Sequence, residues 1–396
     1  KTSHTGIIAR TLEIPAVQGL DNATRTIKND EIIVVDGKSG IVIVHPTDQT
    51  LIDFEERQSR YEEYKAVISR DSHLPAETTD GFKLEVLGNI ELPEEVVSVI
   101  NYGGDGIGLF RTEFQYLSQF NFPSEDELFE QYKDVIEVMT PRPVTIRTLD
   151  ISGEKAVPYA TDSEEKNPVL GLRGIRYCLK NPEVFKTQLR AILRASAFGK
   201  IRILFPMISC QDEVLAAKKM LAEIADSLEK EGTPFDDNIE IGIMIEVPSA
   251  AIMADVMAKE VDFFSIGTND LIQYALAVDR VNKQVAHLYQ PLNPAIIRLI
   301  KQVADVGKNS DVKVFMCGEM ASDPVNIPIL LGLGIKRLSM NPQSIPAVKK
   351  IIRSLNVDDA KRFAKNVLKE TSETGVLERV FQTYGSMLFE IGYVES

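Results

Sequence analysis

The chain has 396 residues, 44 basic and 58 acidic, for a formal net charge of −14. That balance, with no basic cluster along the chain, argues against binding nucleic acid or docking on an anionic membrane. No apolar run reaches the roughly 18 residues that insert across a bilayer, and three distant cysteines do not make a disulfide framework, so a reducing cytoplasm is the expected compartment. Hydrophobic residues are 44% and charged ones 26% of the total, the composition of a globular protein of two or three domains.

The chain opens on Lys1 with strong patterning and no signal region, so further sequence upstream is expected. Residues 1–46 read as part of a small α/β unit. Thr2-Ser3-His4 can cap a helix running to about Leu12. Two β-branched runs, Glu31–Val35 and Gly40–Val44, flank Asp36-Gly37 and predict a hairpin. Residues 47–75 start helical and highly charged, as a solvated linker helix would, and Pro75 to Gly81 reads as a loop. From residue 76 onward eight apolar runs alternate with helix-period segments. The runs are Lys83–Ile90, Ile107–Phe110, Val144–Thr148, Ile201–Pro206, Ile239–Glu246, Asp262–Ile266, Val312–Met316 and Lys336–Met340. Continuous apolar runs suit parallel strands buried on both faces. Eight βα units predict an α/β fold, a (β/α)8 TIM barrel over residues 76–396, with a doubly wound open sheet as the alternative.

The residues at the ends of these runs carry the chemistry. Arg111, Arg147, Glu246, Asn269, Asp270 and Cys317 each stand at or just after the end of a predicted strand. In a barrel all six meet at the C-terminal mouth, where barrel active sites sit. Any one alone reads equally well as a cap or an ion pair. Arginines there offer planar bidentate donors for phosphate or carboxylate, and Arg173 and Arg280 can add two more. Glu246 and Asp270, two carboxylates on neighbouring strands, suit Mg²⁺, which shares its shell with substrate phosphate and water. Together these suggest phosphoryl transfer on a small anion. Cys317 alone would read as a small buried hydrophobe, but neighbouring cations can make a thiol a usable acid or base. His4 sits at a predicted helix N-terminus, which favours a neutral, nucleophilic imidazole and could hold a phosphohistidine. The plainer alternative is a solvent-facing His in a capping turn. His45, His73 and His287 have no such setting, and no ligand spacing among the four histidines suggests zinc.

The ordered set of motifs resembles a known family. Thr2-Ser3-His4-Thr5 with Ile14–Gly19 is similar to the phosphohistidine motif of the phosphoenolpyruvate-utilising enzymes. Leu109–Phe114, Ile146–Asp150, Glu246-Val247-Pro248, Gly267–Leu271, Ala277–Arg280 and Met316–Glu319 resemble the barrel motifs of their enzyme I branch. The resemblance covers nearly the whole chain. It implies a swivelling phosphohistidine domain, represented by residues 1–46, and a barrel that binds phosphoenolpyruvate and carries a homodimer contact. By the same resemblance, His4 accepts the phosphoryl group and passes it to the phosphocarrier protein HPr, the first step of sugar uptake, and pyruvate is released. The domain that docks HPr would lie upstream. Arg111 and Arg147 match phosphate-binding positions, with Arg173 in support. Asn269 and Arg280 match substrate-holding positions, Arg280 at the carboxylate. Glu246 and Asp270 match Mg²⁺ ligands, and Cys317 matches the acid that protonates the enolate. Ile151-Ser152-Gly153-Glu154-Lys155 departs from the family pattern, with Ser where a glycine pair and Glu where Asp is expected. The C-terminal half of a phosphoenolpyruvate synthase or pyruvate phosphate dikinase is the alternative, as is a nitrogen-related paralogue.

Overall fold

The computed structural model describes residues 9, 14–20, 22–37, 39–117, 121–151 and 167–390, and for residues 64–69 the backbone alone. His4 and, apart from Ala9, the helix predicted to reach Leu12 lie outside the described residues, as does Ser152–Lys155. The chain forms two compact units, Lys1–Arg70 and Asp71–Ser396.

In the first unit the predicted hairpin is present. Strands β1 (Ile33–Asp36) and β2 (Ile41–Val44) pair antiparallel with Ile33 opposite Val44 and Asp36 opposite Ile41. The Asp36 carboxylate fixes the turn by accepting from the Ser39 hydroxyl at 2.6 Å and the Ser39 N–H at 3.2 Å. Gly40 takes φ +71°, which a residue with a Cβ adopts at a cost. A 23-residue helix, Asp48–Arg70, follows.

The second unit is a closed barrel of eight parallel strands, in the order β10-β3-β4-β5-β6-β7-β8-β9. They are β3 (Glu85–Ile90), β4 (Ile107–Arg111), β5 (Val144–Arg147), β6 (Ile201–Phe205), β7 (Glu240–Ile245), β8 (Phe263–Ile266), β9 (Lys313–Met316) and β10 (Arg337–Met340). Pairing of β10 with both β3 and β9 closes the sheet and rules out the doubly wound alternative. Each strand falls within two residues of its predicted run. Strand β3 starts at Glu85 rather than Lys83, because Lys83 instead bridges back to Glu77 ahead of the barrel.

The apolar faces explain the closure. Outward residues such as Val86, Ile146, Ile203 and Ile243 are fully buried under the surrounding helices. Inward residues Leu87, Leu109, Leu204, Met244, Phe263, Phe315 and Cys317 fill the interior as a separate cluster. Gly108 makes room inside: a Cβ there would lie 2.4 Å from Ser339 Oγ. The N-terminal end is plugged by charge. Arg202 and Arg337 lie over the Phe315 ring, at 5.0 and 5.4 Å, and pair with Glu240 and Glu85. A filled interior and a plugged lower end leave the C-terminal mouth as the place for chemistry.

Candidate active site at the barrel mouth

Strand β5 delivers Arg147 inward as its last residue, 10% exposed. Its Nη2 lies 2.9 Å from Glu113 Oε1 and its Nη1 3.2 Å from Asp150 Oδ2. The Arg147 Nε is buried and unpartnered. Glu113, the first residue of the short helix Glu113–Leu117 that follows β4, also accepts from the Asp150 N–H at 3.1 Å, which ties this helix to the loop after β5. Asp150 then meets Arg173 as a fork: Nε to Oδ1 at 3.0 Å and Nη2 to Oδ2 at 2.9 Å. The same Nη2 donates to Asp270 Oδ2 at 2.9 Å, and Arg280 Nη2 lies 3.8 Å from Asp270 Oδ1. Guanidinium and carboxylate thus alternate from Glu113 through Arg147, Asp150, Arg173 and Asp270 to Arg280.

Glu246 follows β7 directly and is 1% exposed. One carboxylate oxygen accepts from the Met207 N–H at 2.6 Å. Met207 holds φ +59°, strained for a residue with a Cβ, and Gly174 makes space beside it, since a Cβ there would lie 2.7 Å from the Met207 Cβ. The helix Thr268–Leu276 starts at the end of β8 and places Asn269 and Asp270 in its first turn. Four residues beyond Asp270, Tyr274 accepts from Arg173 Nη1 at 3.2 Å and donates to the Val169 carbonyl. Asn269 and Glu319 exchange two hydrogen bonds, Asn269 Nδ2 to Glu319 Oε1 at 3.2 Å and the Glu319 N–H to Asn269 Oδ1 at 2.9 Å. Arg111, last in β4, donates through Nη1 to Glu91 Oε1 at 2.6 Å.

Cys317 follows β9 and is buried. Its Sγ lies 3.6 Å from the Ile266 carbonyl, and its own carbonyl accepts from Asn89 Nδ2 at 3.0 Å. Burial pushes the thiol up to about 11, against the pull of Arg147 and Arg111. Sequence reasoning left the thiol open as an acid or a base and took Cys317 as the proton donor. Desolvation outweighs the cations, so the group is a protonated acid at neutral pH and not a thiolate base.

The carboxylates divide by environment. For Asp150, burial alone would raise the pKa, but Arg173 and Arg147 outweigh it and hold the group at about 2. Glu246 is pushed up to about 8, first by burial and then by the charges of Asp270 and Asp150. One oxygen from each of Asp150, Glu246 and Asp270 lies within 4.8 Å of the others. Asp270 Oδ1 is buried without a hydrogen-bond partner. Three hard oxygen donors, one orphaned and one pushed toward its protonated form by burial and by the other two charges, fit a divalent cation. Sequence reasoning named Glu246 and Asp270 for this role and passed over Asp150. The sequence holds Asp150 in the same motif as Arg147, but only the fold brings it to the other two carboxylates.

The mouth therefore gathers Arg111, Arg147, Arg173, Glu246, Asn269, Asp270, Arg280 and Cys317, while His4 is outside the described residues. Among those residues, no helix is long and apolar enough to cross a membrane. The family described as PEP-utilising enzyme, PEP-binding domain, matches residues 65–357, and PEP-utilising enzyme, mobile domain, matches residues 1–40. Proteins named phosphoenolpyruvate-protein phosphotransferase are similar along almost all of this chain. That of Geobacillus stearothermophilus is 47% identical over 384 residues, 97% of this chain and 66% of its own length. That of Bacillus subtilis (strain 168) is 46% identical over 384 residues, 97% of this chain and 67% of its own. That of Staphylococcus carnosus (strain TM300) is 45% identical over 380 residues, 96% and 66% respectively. The chain thus spans about two thirds of the length of the curated relatives it matches. A solved citrate lyase from Burkholderia xenovorans LB400 is 12% identical, with a TM-score of 0.41 over 77% of this chain and 93% of that one, too slight a likeness to argue from. With a barrel mouth of alternating arginines and carboxylates and matches to both family domains, the chain belongs to the phosphoenolpyruvate-utilising enzymes.

Proposed function

We propose that this chain takes the phosphoryl group of phosphoenolpyruvate onto His4, releases pyruvate, and passes the group to the phosphocarrier protein HPr. The observation that carries this reading is the alternation of Arg147 and Arg173 with Asp150, Asp270 and the nearby Glu246 at one barrel mouth. Such a site suits an anion that arrives with a divalent cation. The names of the relatives favour it over the dikinase and synthase alternative. Homodimerisation through the barrel and a cytoplasmic setting belong to the same proposal.

Residues 1–46 are read as the swivelling phosphohistidine domain, residues 47–75 as a linker helix, and residues 76–396 as the phosphoenolpyruvate-binding barrel. Arg111 and Arg147 bind the phosphate, Arg147 with a buried Nε still free to donate. Arg173 supports them, and Arg280 and Asn269 orient the carboxylate end. Asp150, Glu246 and Asp270 would hold Mg²⁺, which supplies positive charge against the phosphate and enolate oxygens when bound. A nitrogen of His4 attacks phosphorus in line; the P–N bond forms as the bond to the enol oxygen breaks. The resulting enolate takes a proton at carbon from the Cys317 thiol and becomes pyruvate. A thiol at about 11 keeps that proton at neutral pH until the basic enolate is at hand.

Intact-mass spectrometry after incubation with phosphoenolpyruvate and Mg²⁺ tests this. One acid-labile phosphate per chain, matched by pyruvate release and absent from His4→Ala, is expected. A phosphate that persists in His4→Ala would contradict the assignment of the acceptor.

A further inference from the structure

Four guanidiniums stand at the mouth, and each has a carboxylate partner. Three of them share their partners with the carboxylate trio. Arg147 and Arg173 lie on Asp150, and Arg173 and Arg280 lie on Asp270. Arg111 differs. Its partner is Glu91, in the loop after β3, which lies outside the trio and has no other ion pair among the described residues. The contact is short, 2.6 Å from Nη1 to Oε1, and both groups are partly reachable from the mouth, at 31% and 19% side-chain exposure.

The loop that carries Glu91 is held in place. The Glu95 carboxylate accepts from the Glu91 N–H at 2.7 Å and the Leu92 N–H at 2.9 Å, which fixes the backbone on either side of the Glu91 side chain. The loop therefore presents the Glu91 carboxylate to Arg111 in the empty mouth. A phosphate that engages Arg111 must displace this carboxylate or lie close to it, and both cost affinity, because like charges within a few ångströms repel strongly in a partly dehydrated cleft. The Arg111 fork has other donors, so the cost falls on a competing contact and not on the only one.

We infer that Glu91 is an intramolecular competitor for the phosphate subsite: its carboxylate occupies Arg111 in the empty mouth and sets the affinity for a phosphorylated substrate below what the four arginines could reach. The inference rests on the proposed reading of Arg111 as a phosphate ligand. Glu91→Gln keeps an amide oxygen that can accept from Arg111 and removes only the charge. Glu91→Ala removes both.

Calorimetric titration with Mg²⁺ present tests it, using phosphoenolpyruvate and, separately, oxalate, which has no phosphate. Glu91→Gln should bind phosphoenolpyruvate about tenfold more tightly than the unaltered chain, while oxalate affinity stays the same. Glu91→Ala should also bind phosphoenolpyruvate more tightly than the unaltered chain. Unchanged or weaker phosphoenolpyruvate binding by Glu91→Gln would overturn the competition and make Glu91 a positioning residue for Arg111. Equal tightening for oxalate would overturn it too, by showing a general field effect. An unaltered chain that binds oxalate with Mg²⁺ but not phosphoenolpyruvate would sink the reading of Arg111 itself, and this inference with it.

Discussion

Arg173 grips Asp150 with two parallel hydrogen bonds, Nε to Oδ1 at 3.0 Å and Nη2 to Oδ2 at 2.9 Å, and the same Nη2 reaches Asp270 at 2.9 Å. One guanidinium thus sets the spacing of two carboxylates that come from different strand ends. Arg147 holds Asp150 from the other side at 3.2 Å. Removing the Asp150 charge leaves two buried cations short of a partner. Asp150→Asn should therefore lose about 3 kcal/mol of stability, the scale for breaking a buried ion pair. It should also weaken Mg²⁺ binding in the presence of oxalate. Urea unfolding and calorimetry read the two effects, and an unchanged unfolding midpoint would contradict the first.

Glu246 gives a pH dependence. Its folded pKa, about 8, lies above the ordinary carboxylate value, so the metal-free protein holds a proton there at neutral pH. That proton stabilises the metal-free fold below the ordinary carboxylate range, and the contribution is lost as pH rises through about 8. A cation needs the ionised form, so binding releases the proton. Metal affinity should rise by up to about tenfold per pH unit and level off above pH 8. Calorimetry in buffers of different ionisation heat counts the proton; no proton release at pH 7 would show that Glu246 is already ionised.

Cys317 should be slow to alkylate. The thiol is buried and pushed up to about 11, whereas Cys210 is exposed. At pH 8 iodoacetamide should modify Cys210 first by peptide mass mapping, with Cys317 reacting only as the chain unfolds. Early labelling of Cys317 would contradict the description of its surroundings. Within the proposed reaction, Cys317→Ala should keep phosphoenolpyruvate affinity and lower turnover by roughly 10²–10⁴.

Gly318 is the contact that lets β9 lie against the start of the helix carrying Asn269 and Asp270. A Cβ there would lie 1.8 Å from Thr268 Oγ1 and 2.6 Å from the Thr268 nitrogen. Gly318→Ala must push the two segments apart, which should cost about 1–3 kcal/mol. It should also weaken Mg²⁺-dependent oxalate binding by moving Asp270. A variant with native stability and binding would show that the segments can part without disturbing the site.

The barrel was legible in the sequence because eight short, mostly apolar runs, such as Val86-Leu87 in β3 and Phe263-Phe264 in β8, are each followed by a helix-period segment. The positions at the mouth were legible for the same reason: Arg147 and Glu246 stand where apolar runs stop. The pairing of these side chains was not legible. Asp150 joins Glu246 and Asp270 only because Arg173, some twenty residues away, folds back over it. Glu91 stands just past a strand with no local sign that it faces Arg111. The balance at Cys317 also needed the fold, since burial and neighbouring cations pull its pKa in opposite directions and only their geometry decides the winner.

Binding of phosphoenolpyruvate at the barrel mouth, together with a divalent cation held by the carboxylate trio, is the central proposal, and one titration tests it most directly. Phosphoenolpyruvate is titrated into the chain with Mg²⁺, with EDTA, and with Mg²⁺ into Glu246→Ala. A stoichiometric binding isotherm is expected in the first case and its loss in the other two. An isotherm that survives EDTA and Glu246→Ala unchanged would contradict the claim.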